Sequence, residues 1–598
     1  MKKYMCKKNI VIFGFTMLFS VIIGAFLFHP NYGIRGIIFS IVFSVLFFLL
    51  EIFCYVWKNR KKNQRAKNIS LIFSSVLSTT LIGLWASNVL NGVDIFGNIF
   101  VASERTYGIS MTFTSLNFIF IFLPLTVAAY YVIKSNLKNI FLVVVSVIFY
   151  AVGEPRMIWL LLMTIFVNYV FGLLLAKKWE YLIVRRFFLL IMLIWNFGLL
   201  FYYKYFIFTL ENISLATGSK LSIPNIIQPL GISFFTFRTV SFCLDVYWET
   251  VSVQYNFINV ALYICFFPQI SMGPISKYND FASQLNERKF DGDLFLDGVK
   301  RIIIGWAKKL IIANNIGTTV DIIFNMHGNE RTVILAWIGI LGYLIQLYYD
   351  FSGYTDIAIG IGQIFGFRTP ENFNYPFLSK SVVEYWTRWH VSLGTWLKNY
   401  IYIPVFRVCQ NKEISIGTCN ILSLICVWLF AGVWHGAGWN YLFYGVYYCI
   451  FIILERVVDD YMKKRRKRLK IKKQPETIVQ KGLAHIYFFI VLIFGQLLFR
   501  SEDLISFGDY VKSLLGLNSN IIWNSKTYFY FLQSMALLIV GWIFAFPIIK
   551  VLKEKIEKYR GGELAVSIVT PMIYAVLLIV SISYAMTDTY QSFIYFQF

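Results

Sequence analysis

EYWTRWHVSLGTW, residues 384–396, places Glu384, Arg388 and His390 among three tryptophans inside an extremely apolar chain. Of the 598 residues, 58% are hydrophobic and 14% charged, against about 25% charged in a soluble protein. Apolar runs recur from end to end, and a helix needs ~20 such residues to cross a membrane. An open sheet could not satisfy its backbone in lipid, and the runs are too long for barrel strands. The fold class is therefore all-α and polytopic, with the 384–396 stretch at membrane depth.

The first run, 10–28, follows MKKYMCKKN but lacks a small-x-small cleavage site, so it reads as a retained helix. Further spans are expected at 34–57 and 69–90, followed by a more polar link over 91–111. This divides the chain into an N-terminal extension, 1–111, and a larger domain, 112–598. The net charge of +24 is concentrated in clusters such as KNRKKNQRAK (58–67) and KKRRKRLKIKK (463–473), each directly after an apolar run. The positive-inside rule puts both on the cytoplasmic side, beside anionic lipid. No nucleic-acid-binding module accompanies them, which excludes that partner class. The eight cysteines show no C-x-x-C spacing and read as small hydrophobic filler.

Conventional spans are expected over 112–210 and again at 483–499, 527–549 and 564–586. Between them, 229–410 reads as shorter apolar pieces interrupted by Gly, Pro and charge, including LYYDFSGYTDIAIGIG (347–362). Broken segments at membrane depth are tolerated where protein buries them or where they line a cavity. Ionisable residues there are functional candidates.

Five histidines occur, and His390 and His435 stand apart by their company. Read as one helix, 384–396 pairs Glu384 with Arg388 on one face and puts Trp386, Trp389 and His390 on another. His435 lies between Trp434 and Trp439 in AGVWHGAGWN (431–440), where glycines let neighbours approach closely. A histidine suits proton transfer near neutral pH. Two histidines with Asp350 or Glu384 make a poor metal site, and no H-x-x-x-H or G-x-S-x-G element occurs. Neither a metal nor a bound cofactor is expected.

Two longer stretches, ENFNYPFLSKSVVEYWTRWHVSLGTWLKNYIYIP (371–404) and FAGVWHGAGWNYLFYGVYY (430–448), closely resemble the membrane-bound O-acyltransferase family. The likeness is strongest to its bacterial alginate O-acetyltransferase branch and runs from about 112 onward, through PLGISFFTFRTVSFCLDVYW (229–248), FFPQISMGPISKYNDF (266–281), YLIQLYYDFSGYTDIAIGIGQIFGF (343–367) and the terminal FIYFQF. It implies a helical bundle with short and re-entrant helices around a buried tunnel. It also implies a catalytic role for His435 and His390, with Trp386, Trp389, Trp434, Trp439, Asn440 and Asp350 as lining candidates. The donor implied is a cytoplasmic acyl thioester such as acetyl-CoA. The acceptor is an exported polysaccharide, reached with an extracellular SGNH-type partner at the bacterial cytoplasmic membrane.

The chain departs from that branch at Thr387, where arginine is common, at Asn399, where aspartate is common, at VFR (405–407), and in QLLFRS (496–501). D-alanyl transfer to teichoic acid from a carrier-protein thioester is the neighbouring alternative. A sugar transporter or a synthase scaffold would leave both histidine motifs without a purpose.

Overall fold

A computed structural model describes residues 111–587 apart from 287, 329, 473 and 518–520. The spans expected over 10–90, the first basic cluster and the terminal FIYFQF lie outside the described residues. The described residues fall into two compact units, 116–138 in one and 111–115 with 139–587 in the other. In the first, a π-turn (Phe118–Phe122) runs on without a break into a helix, Leu123–Val132, with Pro124 just past the junction.

Nine helices among the described residues are long and apolar enough to span a membrane. The chain runs through α1 (Lys138–Gly153), α2 (Ile158–Ala176) and α3 (Leu182–Leu200). A π-turn, Phe201–Tyr205, then joins α3 to α4 (Phe206–Thr217) as one long rod. Next come α5 (Ile232–Tyr247), buried along nearly its whole length, and α6 (Gly292–Ala307), buried mainly at its C-terminal end. The 32-residue α7 (Val333–Ile364) is the core of this unit, buried along most of its length.

This overturns the expectation that 347–362 is broken. Its glycines do not interrupt α7; they let α6 approach. A Cβ on Gly305 would come within 2.5 Å of the Gly353 carbonyl oxygen, and one on Gly298 within 2.6 Å of that of Gly360. Small residues are how membrane helices pack closely. The same contact is pinned by charge. Lys308 and Lys309, adjacent on a π-turn (Lys308–Ala313), reach Asp356 at 2.6 Å and Asp350 at 2.5 Å. The Lys309–Asp350 side chains are 5% and 2% exposed, so removing either charge leaves the other buried without its counter-ion.

Two short helices follow, α8 (Val382–Arg388) and α9 (Val391–Leu397), and then α10 (Ile416–His435), α11 (Trp439–Leu469) and α12 (Ile478–Arg500). Ser381 caps α8 by accepting the Glu384 N–H. Glu455 on α11 accepts the Val382 and Val383 N–H groups at 2.7 and 2.9 Å, an anion at a positive helix end. Glu384 and Arg388 pair as expected, at 2.9 Å.

The late spans are α12, α13 (Ser525–Phe544) and α15 (Gly562–Thr587). α13 stops short of the expected 549, because Pro547 cannot extend it and instead opens α14 (Ile548–Ile556), which carries three lysines. α15 is only 6% buried, an outer helix.

Candidate active site

The 384–396 stretch is not one helix. The chain is extended at Trp389 and left-handed at His390 (φ 46°, ψ 51°). Residues 372–374 cause the break by pairing antiparallel with it: Phe373 bridges Trp389, Asn374 N–H donates to Arg388 O at 2.9 Å, and Val391 N–H donates to Asn372 O at 3.0 Å. Trp386, Trp389 and His390 therefore do not share a helical ridge. Trp389 turns to Phe373 and Tyr385, with ring centroids 5.0 and 5.6 Å away, and Trp386 to Trp428 and Tyr448.

The bridge sets Asn372 against His390. Asn372 Oδ1 accepts the Ser392 backbone N–H at 3.2 Å and its hydroxyl at 2.9 Å. A backbone N–H can only donate, so that atom is the amide oxygen. His390 Nδ1, 3.0 Å from the same oxygen, must then carry the proton. Nε2 is left with its lone pair, buried and without a hydrogen bond among the described residues. The ring is 2% exposed and meets Phe351 edge to face at 4.7 Å.

His435 is the last residue of α10, buried, with its ring 5.5 Å from Tyr444 and 5.1 Å from Phe499. Trp434 neighbours both histidines: its ring centroid is 4.8 Å from His435 and 6.3 Å from His390. The Nε1 atoms of Trp434 and Trp386 make no hydrogen bond among the described residues. Trp386, Tyr448, Tyr444 and His435 form a continuous row of rings, with Gln496 near both tyrosine hydroxyls. Close packing of α11 on α10 builds this row, since a Cβ on Gly432 would lie 3.1 Å from the Gly445 Cα.

Asn440 is buried and donates to Ser501 O at 2.8 Å, tying the start of α11 to the end of α12. Asp350 pairs with Lys309 one residue from Phe351, the ring that meets His390. Trp439 is 54% exposed and donates to Asn212, outside the buried row. Among the described residues no three His, Cys, Asp or Glu side chains gather as metal ligands.

The family model of the membrane-bound O-acyltransferases matches residues 249–494, a range holding both histidines and most of this row. The probable alginate O-acetylase of Azotobacter vinelandii is 32% identical over 417 residues, covering 67% of this chain and 80% of its own. The chain belongs to the membrane-bound O-acyltransferase family. The peptidoglycan O-acetyltransferase of Helicobacter pylori is 31% identical, covering 68% of this acyltransferase and 80% of its own length. The teichoic acid D-alanyltransferase of Bacillus subtilis is 33% identical, but over 40% of this chain and 62% of its own.

Sequence reasoning missed three groups in this acyltransferase. Asn372 sits in the quoted ENFNYP but has no spacing relation to His390. Phe499 and Gln496 lie in QLLFRS at the end of α12, noted only as a departure from the family pattern and given no role. Lys204 donates to the Trp434 and His435 carbonyls at 2.6 and 3.2 Å. Its signal was available, because it is the lone charged residue between Arg186 and Glu211.

Proposed function

We propose that this acyltransferase moves an acetyl group from a cytoplasmic thioester, acetyl-CoA, across the bacterial cytoplasmic membrane for O-acetylation of an exported polysaccharide. An extracellular SGNH-type partner would complete delivery. The observation that carries the reading is the pair of buried histidines that share the Trp434 ring as a neighbour.

Thioester acyl transfer needs the attacking hydroxyl to lose its proton as its oxygen bonds to the carbonyl carbon. His435 takes that proton, the C–S bond breaks, and the proton passes to the departing thiolate. A placed general base contributes ~10²–10⁴-fold. His390, with Nδ1 donating to Asn372, offers a lone pair at Nε2. It suits accepting a hydrogen bond from the acceptor hydroxyl rather than donating one to an oxyanion. The surrounding indoles and tyrosines keep bulk water from the thioester.

Orientation supports outward delivery. The basic cluster at 463–473 marks the cytoplasmic ends of α11 and α12. Phe499, the ring beside His435, is 21 residues beyond Ile478, or ~32 Å along a helix axis. His435 thus belongs to the outer half.

The two O-acetyl-transferring relatives align over 80% of their lengths and the D-alanyl-transferring one over 62%. This favours acetyl over D-alanyl cargo. Inverted membrane vesicles supplied with radiolabelled acetyl-CoA should label the enclosed polymer. Labelling only from a D-alanyl carrier-protein thioester would move the reading to the alternative cargo.

A further inference from the structure

The end of α10 carries His435, and helical geometry leaves the last four carbonyls of any helix without an intrahelical partner. Three of those four are met by two adjacent side chains of another element. Tyr205 donates its hydroxyl to Val433 O at 2.9 Å, while the Lys204 ammonium donates to Trp434 O at 2.6 Å and His435 O at 3.2 Å. Both residues sit on the π-turn Phe201–Tyr205. A π-turn is wider than an α-turn, so consecutive side chains diverge less and can address one neighbour; such turns recur at functional sites.

A lysine in an apolar run ordinarily extends its stem toward the interface and leaves its ammonium in water. Lys204 instead is half-buried with its ammonium on a helix end, 5.8 Å from the Trp434 ring centroid. Beyond the helix the chain turns extended at Gly436 (φ −173°), so α10 has no following turn to hold His435 in place.

We propose that Lys204 and Tyr205 form a clamp on the end of α10 that positions His435 and Trp434 for acyl transfer. This rests on the reading of His435 as general base. Lys204 and Tyr205 are positioning residues that act through α10. The ammonium is favourable at the negative end of a helix and fixes the axial position of the terminal turn. The Tyr205 hydroxyl fixes its rotation.

The test uses the full chain in inverted vesicles with acetyl-CoA varied as donor, comparing wild type, Lys204→Met, Lys204→Arg, Tyr205→Phe and His435→Ala, each normalised to inserted protein. Misplacing a catalytic group by about 1 Å can cost ~100-fold. Lys204→Met should lower kcat about 10- to 100-fold with KM for acetyl-CoA unchanged within about twofold. Lys204→Arg, which keeps charge and donors, should recover most of the loss, and Tyr205→Phe should give a smaller fall in kcat at unchanged KM. If Lys204→Met does not insert, Tyr205→Phe decides by the same criterion. A plain structural cap would lower the amount of protein and leave kcat per inserted molecule intact; that result in both variants overturns the clamp. Full turnover by His435→Ala would instead overturn the base assignment, whatever the lysine variants do. The ranking of polymer O-acyl content in intact cells carries the same test if acetyl-CoA labels nothing.

Discussion

Asn372 Oδ1 lies 3.0 Å from His390 Nδ1 and is held there by the Ser392 backbone N–H. The amide thus sets both the tautomer and the tilt of a buried imidazole. Asn372→Ala should leave the Nδ1 proton unsatisfied and the ring free to turn. An orphaned buried donor costs about 1–3 kcal/mol, and polymer acylation should fall at least about tenfold through misorientation. Acylation per inserted protein, measured beside thermal unfolding in detergent, separates the two effects.

His390 occupies left-handed backbone space at φ 46°, a conformation that costs a non-glycine residue of order 1–3 kcal/mol. Glycine adopts it freely. His390→Gly should therefore be more stable than His390→Ala, while both lose activity. Unfolding midpoints of the two variants check this; equal midpoints would mean that the backbone there is not strained.

The Lys309–Asp350 pair should behave as a unit. Breaking a buried pair from one side costs about 3–5 kcal/mol, whereas replacing both charges by apolar groups is often neutral. Lys309→Met and Asp350→Leu should each lower the unfolding midpoint sharply, and the double variant should recover most of it. Additive losses in the double variant would contradict the account.

Gly305 faces the Gly353 carbonyl, whereas a Cβ on Gly153 would meet nothing within 4 Å. Gly305→Leu should force α6 from α7 and sharply reduce the folded protein in membranes. Gly153→Ala should change it little. Quantitative blotting of membrane fractions distinguishes them.

Much of this was legible in the sequence, for identifiable reasons. Span length and hydropathy report on lipid, so the plain helices α12 and α15 fall near their expected ranges. His390 and His435 stood out because packing among indoles does not require an imidazole, whereas proton transfer near neutral pH does suit one. What escaped depends on contacts distant in sequence. The break at Trp389 comes from pairing with Phe373, sixteen residues earlier, which no local propensity encodes. The continuity of α7 was hidden because its glycines read as breakers, when their role is to admit the backbone of α6. Lys204 meets α10 across 230 residues, so only its isolation in an apolar run could mark it.

The most direct test of the central claim is the O-acetyl content of extracellular polysaccharide from cells carrying wild type or His435→Ala, with the membrane protein quantified in both. Polymer still exported at normal yield but stripped of its acetyl groups in the variant is the expected result. Acetylation at the wild-type level, or loss of the polymer itself, would contradict the assignment of His435 as the base of an acyl transfer.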